Sequence, residues 1–80
     1  MKATVLVRPK EGILDPEGDA VGQSLRKLGF EVATARVGRV IDLELDADDV
    51  DAARSEIERM CGELLANPLI ESFEIRLEER

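Results

Sequence analysis

Apolar residues along this chain follow two rhythms, one strand-like and one helical, and the rhythm changes at aspartate, proline and glycine. The opening run MKATVLVR is rich in strand formers and stops at Pro9, which cannot extend a central strand. A first strand is expected there, followed by the loop PKEGILD. Asp15 then stands where a helix N-cap belongs, with Pro16 at the first helical position, where a missing N–H costs nothing. Glu17 and Asp19 put negative charge in the first turn, favourable to the helix dipole. Val21, Leu25 and Leu28 follow at i, i+4, i+7 as one stripe, and Gly29 lies just beyond it, as a C′ glycine would.

The stretch EVATARVGRVIDLEL, residues 31–45, reads as two strands around a two-residue turn at Gly38-Arg39, with glycine first as a type II′ turn requires. In that register Val32, Thr34 and Arg36 share the core face with Ile41, Leu43 and Leu45. Ala33, Ala35 and Val37 share the other with Val40, Asp42 and Glu44. Asp46 is expected to cap a second helix, with Asp48 and Asp49 in its first turn and a buried stripe of Val50, Ala53, Ile57, Met60, Cys61 and Leu64. That helix must end by about Asn67, because Pro68 forces its predecessor toward extended geometry. IESFEIRL closes the chain as a strand, and the last few charged residues are expected to fray.

The order βαββαβ, in two similar halves without a linker, predicts one domain over residues 1–80. The expected class is α+β: a ferredoxin-like two-layer sandwich with a four-stranded antiparallel sheet and two helices on one face. The other face, carrying Ala33, Ala35, Val37 and Val40, is more apolar than a solvated face needs to be and suggests pairing with another copy or a partner.

Size sharpens that suggestion. A chain of 80 residues buries only roughly 60% of its unfolded surface, and scaffolds of this size without disulfides or metals rely on regular packing or oligomerisation. One cysteine excludes an internal disulfide and a thiolate metal cluster, and the absence of histidine removes the commonest general base. The net charge of −7, with no Trp or Tyr, argues against nucleic acid. No apolar run approaches a membrane span or a signal-peptide core, so a cytoplasmic setting is expected.

The candidate chemistry is thin. Cys61 sits on the apolar stripe of a helix with nothing to activate it. Asp46, Asp48, Asp49 and Asp51 crowd a helix start without the glycine and closing glutamate of a calcium loop. Gly12, Gly18 and Gly22 form no phosphate-binding pattern. Arg8, Lys10 and Arg39 could grip a phosphate, or simply be scattered solvent-facing charge. No nucleophile, base and oxyanion site come together.

Four motifs nevertheless carry a resemblance. GILDPEG before the first helix, LGF closing it, RVGR at the middle and LLANPLIESFEI near the end, in that order, resemble the PurS family across essentially the whole chain. PurS is the small subunit of phosphoribosylformylglycinamidine synthase. The resemblance implies a dimeric, possibly tetrameric, accessory subunit of purine biosynthesis, without catalytic, cofactor or metal residues of its own. It would bridge the large synthetase subunit PurL and the glutaminase PurQ and support ammonia transfer, while ATP, magnesium and glutamine are used by those partners. Carried over by position, the LDPxG pattern falls on Leu14, Asp15, Pro16 and Gly18. The glycine-plus-base pair falls on Gly38 and Arg39, and NPxIE on Asn67, Pro68, Ile70 and Glu71. The family usually has Lys at 39 and often Tyr at 73, where this chain has Arg and Phe. Of these, Asp15, Pro16, Gly18, Arg39, Asn67, Pro68, Ile70 and Glu71, with the small apolar positions Ala33, Ala35 and Val37, are the expected subunit contacts. Two other classes share the expected topology. A ligand-sensing module of ACT-like topology would be stabilised by a small ligand, and an acylphosphatase-like enzyme would need an Asn and a phosphate cradle after the first strand.

Overall fold

A computed structural model describes residues 1–78; Glu79 and Arg80, where fraying was expected, lie outside the described residues. Strand β1 (Lys2–Pro9) is the centre of the sheet. It pairs antiparallel with β2 (Arg39–Glu44) on one side and β3 (Glu71–Glu78) on the other, so that Val5 stands between Ile41 and Ile75 and Ala3 between Leu43 and Leu77. Strand alternation sends Ala3, Val5 and Val7 to one face, where each is almost completely buried. Helix α2 (Val50–Met60) covers that face with Ala53 and Ile57, both fully buried. It runs on into a π-helical turn, Cys61–Leu65, closed by the Ala66 N–H donating to the Cys61 carbonyl at 3.0 Å. The widened turn brings Cys61 and Ala66 into the same core.

The core is small. Among the described residues only Ala3, Val5, Val7, Ala53, Ile57, Cys61 and Ala66 are buried hydrophobics, while Leu14, Val21, Leu28, Phe30, Leu64 and Leu69 are exposed. Burying apolar surface is the main stabilising term in a fold, so this protomer leaves much of its driving force unused.

Helix α1 (Pro16–Lys27) starts and stops as its sequence dictates. Asp15 caps it by accepting from the Gly18 N–H at 3.0 Å. Gly29, at φ +99°, ends it in a Schellman arrangement: Phe30 N–H donates to the Leu25 carbonyl and Gly29 N–H to the Arg26 carbonyl.

The expected four-stranded sheet with two helices on one face does not form; the sheet has three strands in the order β2-β1-β3. Residues 31–38 pair with no strand, and the turn at Gly38-Arg39 is absent. Two local contacts account for this. The Val37 N–H donates to Asp15 Oδ2 at 2.9 Å, which draws the segment toward the start of α1 and away from β2. Gly38 does not have the positive φ of a type II′ turn. Its backbone lies so tightly on that of Val7 and Arg8 that a Cβ would run into the Val7 carbonyl. The second missing piece is α1 itself, which has no substantial contact with the sheet or with α2. It travels with residues 32–37 instead: Gly22 faces Ala35, and Arg26 Nη1 donates to the Val32 carbonyl at 2.9 Å. The protomer is accordingly long and thin, 49 × 27 × 14 Å. Helix α2 is also shorter than expected. Its cap is Asp49, accepting from the Asp51 N–H at 3.1 Å, rather than Asp46.

Candidate subunit-contact site

Three sequence segments far apart in the chain meet at the end of β1 where it leaves the sheet. The first is the loop ending in Asp15-Pro16, the second the entry to β2 at Gly38-Arg39, and the third the turn Asn67–Glu71 before β3. Together they line one open groove with Ile13, Leu14, Val37 and Ile70 on its walls.

An ion pair joins two of these segments. Arg39 grips Glu71 with both arms of its guanidinium, Nη1 to Oε2 at 2.7 Å and Nη2 to Oε1 at 3.1 Å. The same Nη2 donates to the Leu65 carbonyl at 2.6 Å, one of the acceptors left over where the π-helical turn ends. Glu71 in turn accepts from the Asn67 N–H at 2.7 Å. A planar fork grips both carboxylate oxygens through separate nitrogens while a remaining N–H serves the carbonyl, a two-armed geometry that the point charge of a lysine does not reproduce. Arginine at 39 therefore locks the helix end, the turn and the strand start together. The Arg39 hydrogen bond, and then the one from Asn67, hold the Glu71 carboxyl below the usual carboxylate range, while Glu71 raises Arg39 further.

The turn is also fixed from within and from β1. Asn67 Oδ1 accepts from the Leu69 N–H at 3.1 Å, the side-chain turn that asparagine before proline is suited to make. Lys10 donates through Nζ to the Pro68 carbonyl at 2.7 Å and through its backbone N–H to the Ile70 carbonyl at 2.9 Å. On the opposite wall, Asp15 is shared between Val37 and Gly18, and these two backbone hydrogen bonds, Val37 first, lower its carboxyl pKa. Gly18 is buried beneath it, because a Cβ there would strike the Asp15 carboxylate and the Ala35 carbonyl.

Of the residues singled out from the sequence, Asp15, Pro16, Arg39, Ile70 and Glu71 line this groove and Val37 joins them. Asn67 and Pro68 lie in its buttressing turn, and Gly18 donates its N–H to Asp15 on the groove wall. Ala35 lies against α1 at Gly22 and Ala33 is exposed, so neither stands on the sheet face expected for them. From the sequence Lys10 is either a possible phosphate ligand or scattered solvent-facing charge. The sequence carried no sign that its ammonium braces the Asn67–Glu71 turn, since a lysine after a strand has no fixed partner. Ile13 and Leu14, the apolar wall, belong to the loop whose LDPxG motif is expected at a subunit contact, Leu14 being part of that motif.

The carboxylates here are engaged with the protein's own backbone and with Arg39, an arrangement suited to holding loops in shape. Cys61 lies under α2 with no exposed surface, and burial pushes its thiol pKa up, away from the thiolate that nucleophilic chemistry needs. Among the described residues no three His, Cys, Asp or Glu side chains converge, and no helix is long and apolar enough to cross a membrane.

A thin α+β protomer with a small core, a hydrogen-bonded three-segment junction and many exposed apolar side chains defines an assembly subunit. Comparison with known proteins agrees. Residues 2–79 match the family model PurS, phosphoribosylformylglycinamidine (FGAM) synthase. The PurS subunit of Archaeoglobus fulgidus is 42% identical, over 94% of this chain and 95% of that protein. The crystal structure of Methanocaldococcus jannaschii PurS, one of the subunits of formylglycinamide ribonucleotide amidotransferase in the purine biosynthetic pathway, is 38% identical. It superposes with a TM-score of 0.87 over 99% of this chain and 96% of that one. A chain of the PurLQS structure from Thermotoga maritima is 33% identical with a TM-score of 0.86, over 94% of this chain and 93% of that one. The chain belongs to the PurS family of phosphoribosylformylglycinamidine synthase subunits.

Proposed function

We propose that this chain is the bridging subunit of a three-component phosphoribosylformylglycinamidine synthase, a self-associating scaffold that joins a PurL-type synthetase to a PurQ-type glutaminase. Its service to the reaction is positional. Ammonia released from glutamine must reach the ribonucleotide before it escapes to solvent, and a scaffold that fixes the two catalytic subunits shortens that path. ATP, magnesium and glutamine belong to the partner subunits, and the setting is the cytoplasm. The observation that carries the reading is the convergence of Asp15-Pro16, Gly38-Arg39 and Asn67–Glu71, the three family motifs, on one braced groove. The PurLQS assembly of the Thermotoga maritima relative supports it.

Co-elution tests it. The chain mixed with PurL and PurQ subunits of a three-component enzyme should migrate with both on size exclusion, with and without added ATP, magnesium and glutamine. Arg39→Ala, which frees the turn without touching the core, should weaken the association. Separate migration under every condition would refute the bridging role.

A further inference from the structure

The end of α2 carries two apolar stripes that cannot face the core together. Ile57, Cys61 and Leu64 stand at i, i+4, i+7, a spacing of about two α-helical turns. An α-helix continued past Met60 would therefore bring Leu64 onto the face that Ile57 and Cys61 bury. The structure does the opposite: Leu64 is 84% exposed, while Leu65 is half-buried against the core and Ala66 is buried. The widened turn is the cause. Its closing bond runs from the Ala66 N–H back to the Cys61 carbonyl, so each residue turns through less than the α-helical angle. Leu64 stops short of the core face, and Leu65 takes its place.

Side-chain burial alone does not select this register, because it leaves Leu64 in water and buries the smaller Ala66. The bonds that favour it come from outside the helix. Arg39 Nη2 donates to the Leu65 carbonyl at 2.6 Å. Glu71, held by both arms of the same guanidinium, accepts from the Asn67 N–H at 2.7 Å. These contacts grip the chain on either side of Ala66 in the rotation that the π-helical turn gives it. In α-helical register each residue after Cys61 rotates further, which carries the Leu65 carbonyl away from Arg39 and Ala66 out of the core. Arg39 stays half-exposed while Glu71 is largely covered, so the guanidinium can be reached from solvent.

We propose that the end of α2 is a two-register switch: the Arg39 guanidinium, gripping Leu65 and Glu71, holds the π-helical register that turns Leu64 outward, and its release returns the turn to α-helical register with Leu64 in the core. The switch is a property of the single chain and does not rest on the assembly role stated above.

Leucine methyl groups report the register by NMR, through the relaxation that a soluble gadolinium chelate causes at exposed sites. Leu64 should relax strongly in wild type and several-fold less in Arg39→Ala, a substitution that removes no core atom. Urea unfolding at one protomer concentration gives the second readout. Leu64→Ala should leave the wild-type midpoint in place, yet raise the unfolding equilibrium constant of the Arg39→Ala chain by roughly tenfold or more, as truncating a buried leucine does. A brace without influence on register would lower stability but change neither the Leu64 relaxation nor the cost of Leu64→Ala. Equal relaxation of Leu64 in both chains, with the two substitutions additive, would therefore overturn the switch. Weak relaxation of Leu64 in wild type would overturn its outward register. If Arg39→Ala does not fold, Arg39→Gln, which keeps a long side chain but no charge, is read against the same outcomes.

Discussion

Replacing Gly38 by alanine adds a single methyl group where two backbone segments lie in close contact. The new Cβ would meet the Val7 carbonyl oxygen, with the Val7 carbonyl carbon at 3.2 Å and the Arg8 Cα at 3.3 Å also in its way. All three are backbone atoms of the central strand, so no side-chain rotation relieves the clash. The strain instead parts β1 from β2 at the Val7–Arg39 rung, which also carries the guanidinium that braces Glu71. Overpacking of this kind costs roughly 1–3 kcal/mol. At about 2 kcal/mol, a domain of this size loses roughly 8–16 °C in melting temperature. Gly62→Ala is the matched control: it lies in the π-helical turn with nothing within 4 Å of its Cβ, and should stabilise by about 0.5–1 kcal/mol. Both are read by thermal and urea unfolding at one fixed protomer concentration, because association shifts the midpoint. A Gly38→Ala chain within about 0.5 kcal/mol of wild type would refute the close approach as the reason for that glycine.

Other perturbations reach different parts of the fold. Ile57→Ala empties a site with 0% exposure under α2 and should cost about 2–5 kcal/mol by urea unfolding; a loss below 1 kcal/mol would mean the small core refills. Asp15 and Glu71 both have depressed carboxyl pKa values, so the stability they add is present above the ordinary carboxylate range and is lost as pH falls through the depressed folded values. Asp15→Asn should flatten that acid limb in circular dichroism titrations, and an unchanged slope would contradict the assigned hydrogen bonds. The Cys61 thiol, buried and raised in pKa, should react with a disulfide reagent only at the rate of unfolding; rapid labelling under native conditions would place it at the surface.

What the sequence disclosed follows from where local chemistry decides the structure. The start of α1 was legible because Asp15, Pro16 and the acidic first turn each act within a few residues, and Gly29 closed it for the same reason. The outer strands of the chain were legible from their composition. Residues 31–38 were not: their strand-like composition is real, but the decisive contacts come from Asp15, 22 residues before Val37, and from the backbone of Val7. Gly38 was rightly marked as special and assigned the wrong reason, a turn instead of a close approach. In the run of aspartates before α2, the sequence reading puts the cap at Asp46 and Asp49 in the first turn, whereas the cap is Asp49, accepting from the Asp51 N–H. The π-helical turn carried no sequence signal. The site was legible only as separate motifs; that Arg39 reaches Glu71 and that Lys10 braces Pro68 depends on antiparallel pairing across β1.

The most direct test of the central claim compares two nitrogen sources in one reconstituted enzyme. PurL and PurQ are assayed for ribonucleotide amination with and without this chain, once with glutamine and once with free ammonium. Glutamine-driven turnover that requires the chain, beside ammonium-driven turnover that does not, is the predicted result and identifies a subunit that couples the two partners. Equal glutamine-driven turnover in its absence would contradict the account.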